Sequence, residues 1–155
     1  LDGKIFEEDI EDGVVCVADR DRFRQIAIAL LDNAMKYTEV GESVGVSLKR
    51  QLSKIVFEVK DTGKGVPEED MVKIFDRFYR TDDSRSGKTG GTGLGLAIVK
   101  EVAGAMGAKI YVHANKPKGF VVEIGFDPRY TEQLARRSSD GKPSSDKSGK
   151  RKNNS

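Results

Sequence analysis

The sequence predicts an α/β domain of the α+β kind: a two-layer sandwich in which a mixed, mainly antiparallel sheet is covered by helices on one face. Three observations lead there. Apolar residues alternate over residues 43–50 and 54–60, as half-buried strands require, and further strands are expected over 109–114 and 119–126. Two longer segments, about 20–37 and 93–106, have the apolar spacing of amphipathic helices instead. The strands come as adjacent hairpins, which argues against a doubly wound parallel sheet.

Taken in order, residues 4–10 and 14–18 predict two short strands joined by a turn at Asp12-Gly13. Cys16, inside the apolar run Val14-Val15-Cys16-Val17, is expected to be a buried strand residue rather than a reactive thiol. Asp19 is positioned to cap the first helix, whose apolar stripe is Phe23, Ile26, Ala27, Leu30, Leu31 and Ala34. A hairpin follows, turning through Gln51-Leu52-Ser53. Val44, Val46 and Leu48 share a face of one strand, and Ile55, Phe57 and Val59 share a face of the other. Pro67 opens a short helix carrying Ile74 and Phe75. Residues 80–91 are polar and glycine-rich without periodicity, the composition of a mobile loop. The second long helix is expected to bury Leu94, Ala97, Ile98, Val102, Ala105 and Met106. The last two strands meet at a turn around Pro117-Lys118-Gly119.

Composition bounds the partners. Residues 127–155 hold 8 Lys/Arg against 4 Asp/Glu, leaving 19 against 21 in residues 1–126. The net charge of +2 therefore belongs to the tail, and nothing calls for nucleic acid. The expected division is a folded domain over 1–127 and a basic, disordered tail over 128–155. A single cysteine excludes an internal disulfide, which fits a reducing compartment. No stretch approaches the roughly 18 apolar residues of a membrane span, and no signal peptide is apparent. A start at Leu1 rather than methionine is expected of a piece of a longer protein.

Three constellations carry chemistry. On the first helix, Ala29, Asn33, Lys36 and Tyr37 fall on one flank of the apolar stripe. An amide oxygen there can ligate Mg²⁺, and a lysine one turn on can balance phosphate charge. The same residues equally suit a plain solvent-facing helix end. Asp61-Thr62-Gly63-Lys64-Gly65-Val66 places a carboxylate after a strand, where it can accept a hydrogen bond from the exocyclic amine of adenine. Its glycines permit close backbone approach, Val66 offers an apolar contact, and an ordinary turn has the same composition. Gly90-Gly91-Thr92-Gly93-Leu94-Gly95-Leu96 opens a helix, where free N–H groups can bind phosphate. It is not a dinucleotide fingerprint, because the last glycine position is Leu96 or Ile98. Gly87-Lys88-Thr89 is not a P-loop, because Asp82 stands where glycine is required.

The order and spacing of these segments resemble the ATP-binding domain of sensor histidine kinases, which shares its fold with DNA gyrase and a class of chaperones. Leu30 to Thr38 resembles the family's asparagine box, Asp61 to Val66 its first glycine box, Ile74 to Arg80 its phenylalanine box, and Gly91 to Lys100 its second glycine box. The resemblance covers about residues 14–126. It implies that Asn33 ligates Mg²⁺, Lys36 contacts phosphate and Tyr37 packs near adenine. Asp61 would read the adenine amine, with Gly63, Gly65 and Val66 admitting the base. Arg80 and Arg85 would reach the γ-phosphate and stabilise the charge of the leaving phosphoryl group. Gly91, Thr92, Gly93, Leu94, Gly95 and Leu96 would hinge and cap a mobile lid over ATP. Phe75 and Phe78 would pack the base of that lid.

Two departures matter. Ala29 stands four residues before Asn33, where gyrase and chaperone relatives usually carry a water-activating glutamate and histidine kinases often carry asparagine. Hydrolysis by a dedicated base is therefore not expected, and Mg²⁺–ATP affinity is expected to be modest. Met106-Gly107-Ala108 replaces a frequent glycine pair, with no expected effect on chemistry. The only histidine, His113, lies in a predicted strand and is followed by alanine, whereas the family's acceptor sits on a helical hairpin before an acidic residue. The resemblance thus implies a cytoplasmic kinase domain of a membrane-anchored sensor. It would act on a separate dimerisation and phosphotransfer domain, for relay to a response regulator. A nucleotide-binding docking module without phosphotransfer, and a hydrolysing ATPase, are the alternatives.

Overall fold

The computed structural model describes residues 2–16, 18–80 and 93–127. Its strands are β1 (Ile5–Ile10), β2 (Ser43–Gln51), β3 (Lys54–Asp61), β4 (Lys109–Ala114) and β5 (Phe120–Phe126). They form one sheet in the order β1-β2-β3-β5-β4. β1 runs parallel to β2, and every other neighbouring pair is antiparallel. Helices α1 (Arg20–Lys36) and α2 (Gly95–Ala105) pack against each other over one face of the sheet. This is the mixed, mainly antiparallel two-layer arrangement that the patterning predicts.

The alternation of the strands decides what faces the helices. Ile55, Phe57 and Val59 of β3 stand in register with Phe126, Ile124 and Val122 of β5. All six are buried, and they meet Ile26, Leu30 and Ala34 of α1. Phe23 closes one end of this core, with its ring centroid 5.1 Å from Phe57 and 5.8 Å from Phe126. The same two-residue period carries Asp61 onto the helix-facing side, directly after Val59. A carboxylate therefore sits at the end of an apolar row, beneath the helical layer.

Asp19 caps α1, its carboxylate accepting from the N–H groups of Asp21 and Arg22 at 3.0 Å each. At the other end Lys4 Nζ donates to the Met35 carbonyl at 2.8 Å, and the Thr38 hydroxyl donates to the Ala34 carbonyl at 2.7 Å. These bonds satisfy carbonyls that the helix leaves open and fix the end that carries Asn33, Lys36 and Tyr37.

Four expectations need correction. The described residues of the segment, 14–16 and 18, do not form a strand: none pairs with a neighbour among the described residues, although Val14, Cys16 and Ala18 pack on the core. Burial at period two was legible there, but β1 pairs instead with β2, which returns beside it after α1. Cys16 is half-buried, and burial pushes its thiol pKa up. The short helix after Pro67 is two separate 3₁₀ turns, Glu68–Asp70 and Lys73–Phe75. The buried face of α2 runs through Val99, Ala103 and the following Met106, while Ile98 and Ala105 are exposed. Apolar residues fill most of that helix, so its sequence fits more than one stripe. Phe75 packs on the core, but Phe78 is 71% exposed and holds a positive φ of 65°. Among the described residues, no helix is long and apolar enough to cross a membrane.

Candidate nucleotide-binding site

A cavity of about 670 Å³ opens between α1, the end of β3 and the start of α2. Its helical wall is Ala29, Asn33, Lys36 and Tyr37, the flank that helical spacing selects. Asp61, Gly65 and Val66 supply the floor, and Ile74 and Phe120 add apolar surface. Arg80, Gly93, Gly95 and Leu96 complete the rim. The combination of apolar walls with a few polar groups suits a planar base at one end and an anion at the other.

Asp61 is 4% exposed. Its Oδ1 accepts from the Gly63 N–H at 2.9 Å, and the backbone of Phe120 bonds it as well. Burial dominates these bonds and raises its pKa from 3.8 to about 6. The residue is held rigidly from behind. Asn115 Nδ2 donates to the Asp61 carbonyl at 2.8 Å, while the Thr62 N–H donates to the Ser43 carbonyl at 3.0 Å. At pH 7 the carboxylate remains ionised and can accept from an amine.

Gly63 does not line the cavity. A Cβ at that position would stand 2.1 Å from the Tyr37 carbonyl oxygen, so the loop and the end of α1 touch there through bare backbone. Gly93 has a φ of +72°, and a Cβ there would lie 2.9 Å from the Tyr79 carbonyl oxygen. Its own carbonyl accepts from the Phe78 N–H at 3.1 Å. The two ends of the segment over residues 81–92 are thereby pinned together. Leu94 lies just before α2 and outside the cavity lining. Arg85, Gly91, Thr92 and most of the predicted mobile loop fall outside the described residues.

The Asn33 side chain makes no hydrogen bond among the described residues, and no cluster of three or more His, Cys, Asp or Glu side chains there could hold a metal. The donor set thus fits a metal that arrives with phosphate oxygens and takes one amide oxygen from the protein. It does not form an all-protein cage. Sequence reasoning missed Ile74, Tyr79 and Phe120 as lining residues. Phe120 could have been found, because it begins the strand paired beside β3, but its pairing partner was not readable from spacing.

The profile of the histidine kinase-, DNA gyrase B- and HSP90-like ATPases matches residues 18–130. The chain belongs to this family. Its relatives place it among the histidine kinase domains. It is 36% identical over 127 residues to the sensor histidine kinase YkoH of Bacillus subtilis, a match spanning 79% of this chain and 28% of that protein. It is 40% identical over 117 residues to WalK of the same organism, spanning 74% and 19%. The chain thus corresponds to under a third of the length of these relatives. Among solved structures, the catalytic domain of the histidine kinase ThkA superposes with a TM-score of 0.69 at 29% identity, covering 81% of this chain and 80% of that one. Full-length ShkA in complex with AMPPNP gives 0.69 at 30% identity, covering 80% and 25%. The chain is thus a histidine kinase ATP-binding domain.

Proposed function

We propose that the domain holds Mg²⁺–ATP in this cavity and transfers the γ-phosphoryl group to a histidine on a separate dimerisation domain, for relay to a response-regulator aspartate. The observation that carries the reading is Asp61, a buried carboxylate at the end of an apolar strand row inside a cavity rimmed by cations. Adenine lies on Val66, Ile74 and Phe120 and donates its amine to Asp61. Asn33 would hold the metal through its amide oxygen, and the metal would supply charge neutralisation at the phosphates. Lys36 and Arg80 face the phosphates, joined by Arg85 from the segment over 81–92. Glycines 91, 93 and 95, with Thr92, Leu94 and Leu96, cap the nucleotide as a lid. Asn33, Lys36, Arg80 and Arg85 thus act on the transferring group, and the remaining residues hold the nucleotide.

Ala29 has no atom that can activate water, which favours transfer over hydrolysis. The folded unit spans 1–127 with a basic tail over 128–155, and the whole belongs to the cytoplasmic part of a membrane-anchored sensor. The test combines this domain with a separately prepared acceptor-histidine domain and γ-labelled ATP. Label should appear on the acceptor. Nucleotide binding without transfer would leave a docking module instead.

A further inference from the structure

Lys64 belongs to no role assigned so far. It lines the cavity beside Gly65, and its Nζ lies 5.4 Å from the centroid of the Tyr37 ring. Lys36 Nζ lies 5.3 Å from the same centroid. One aromatic ring therefore serves two ammonium groups, one from the helix and one from the loop. Such a ring attracts each cation through its quadrupole and limits where the flexible stems can carry their charges. Neither lysine has an ion-pair partner among the described residues. Glu42 pairs with Lys118 and Asp70 accepts from the Tyr79 hydroxyl, while Asp32 and Asp61 line the same cavity as the two lysines. Two like charges gathered at one ring repel each other, and a polyanion between them relieves that repulsion.

We infer that Lys64 is a second phosphate-contacting cation of this site, positioned with Lys36 by the ring of Tyr37. The inference rests on the cavity being an ATP site. The contact is strongest for ATP, weaker for ADP and absent for adenosine, because only the phosphates carry the complementary charge.

Titration calorimetry on the full chain with ATP, ADP and adenosine, at low and high salt, tests it. Lys64→Met should weaken ATP about fivefold, leave adenosine unchanged and flatten the salt dependence. Lys64→Arg should restore most of the ATP affinity. In a Tyr37→Leu background Lys64→Met should change ATP affinity little beyond what Tyr37→Leu does alone. Equal weakening of ATP and adenosine would mean that Lys64 only props the rim, and an unchanged ATP affinity would mean that it does not touch the ligand. Either result overturns the inference. Failure of the unaltered chain to bind any adenine nucleotide overturns the ATP reading itself, and is distinguishable because no variant is needed to see it.

Discussion

Asp61 sets two requirements against each other. The ionised carboxylate can read an adenine amine, but burial disfavours that ionised form. Its folded pKa of about 6 lies above the usual 3.8, so between those values the folded state holds a proton that the unfolded state releases. The group therefore lowers stability most above about pH 6, and the penalty is relieved progressively as pH falls from about 6 to 3.8. Asp61→Asn should raise the unfolding free energy by on the order of 2 kcal/mol at pH 8. The gain should be roughly halved at pH 5 and vanish only below the unfolded value of 3.8, as denaturant titrations across that range would show. The same substitution should weaken ATP far more than GTP, and equal losses would remove the residue from adenine recognition. ATP affinity of the unaltered domain should fall as pH drops from 7 to 5. That fall should be smaller in Asp61→Asn, a comparison in which the nucleotide's own titration cancels. Gly63 makes a steric counterpart. Gly63→Ala would drive a Cβ into the Tyr37 carbonyl and force the loop away from α1. A loss of about 2 kcal/mol or more in stability is expected, along with most ATP binding.

Helix α1 joins core and site: Ile26, Leu30 and Ala34 are buried, while Ala29, Asn33, Lys36 and Tyr37 face the cavity. Loss of its cap should therefore reach the nucleotide only through stability. Asp19→Ala should cost about 1 kcal/mol in denaturant unfolding and leave ATP affinity within twofold, since the cap lies at the far end from Asn33. A large affinity loss would show that α1 shifts as a body. This helix was legible because its apolar stripe and polar flank are sharply separated at 3.6-residue spacing. Helix α2 was legible only as a helix, since Leu96, Ala97, Ile98 and Val99 are all apolar and only packing selects Val99 and Ala103 for the core. The segment 14–18 misled for a related reason. Alternation reports which side chains face inward, and Val14, Cys16 and Ala18 pack on the core without the pairing that a strand needs. Likewise, Asp61, Asn33 and Lys36 could be proposed from spacing, whereas the walls formed by Ile74 and Phe120 depend on sheet order. That order becomes visible only once β5 is seen between β3 and β4.

At the scale of the whole molecule, the position of His113 constrains what this chain can do alone. It is the sole histidine, and it lies on β4 with its Nδ1 3.2 Å from the Ala114 carbonyl and its Nε2 3.7 Å from Glu123 Oε1. It pairs across the sheet with Val121, and neither residue lines the cavity, which β5 reaches only through Phe120. Neither the helical setting of an acceptor nor the approach to Asn33, Lys36 and Arg80 is available to it. The isolated chain should bind ATP and incorporate no acid-labile phosphate from γ-labelled nucleotide, and His113→Gln should change neither property. Adding an acceptor-histidine domain should supply incorporation that Asn33→Ala reduces at least tenfold, the scale expected when metal positioning at a phosphoryl group is lost. Steady phosphate release without that domain should stay near background, because Ala29 offers no base. Rapid release that Asn33→Ala abolished would instead make the domain a hydrolase, and transfer to histidine would then be secondary to water as acceptor.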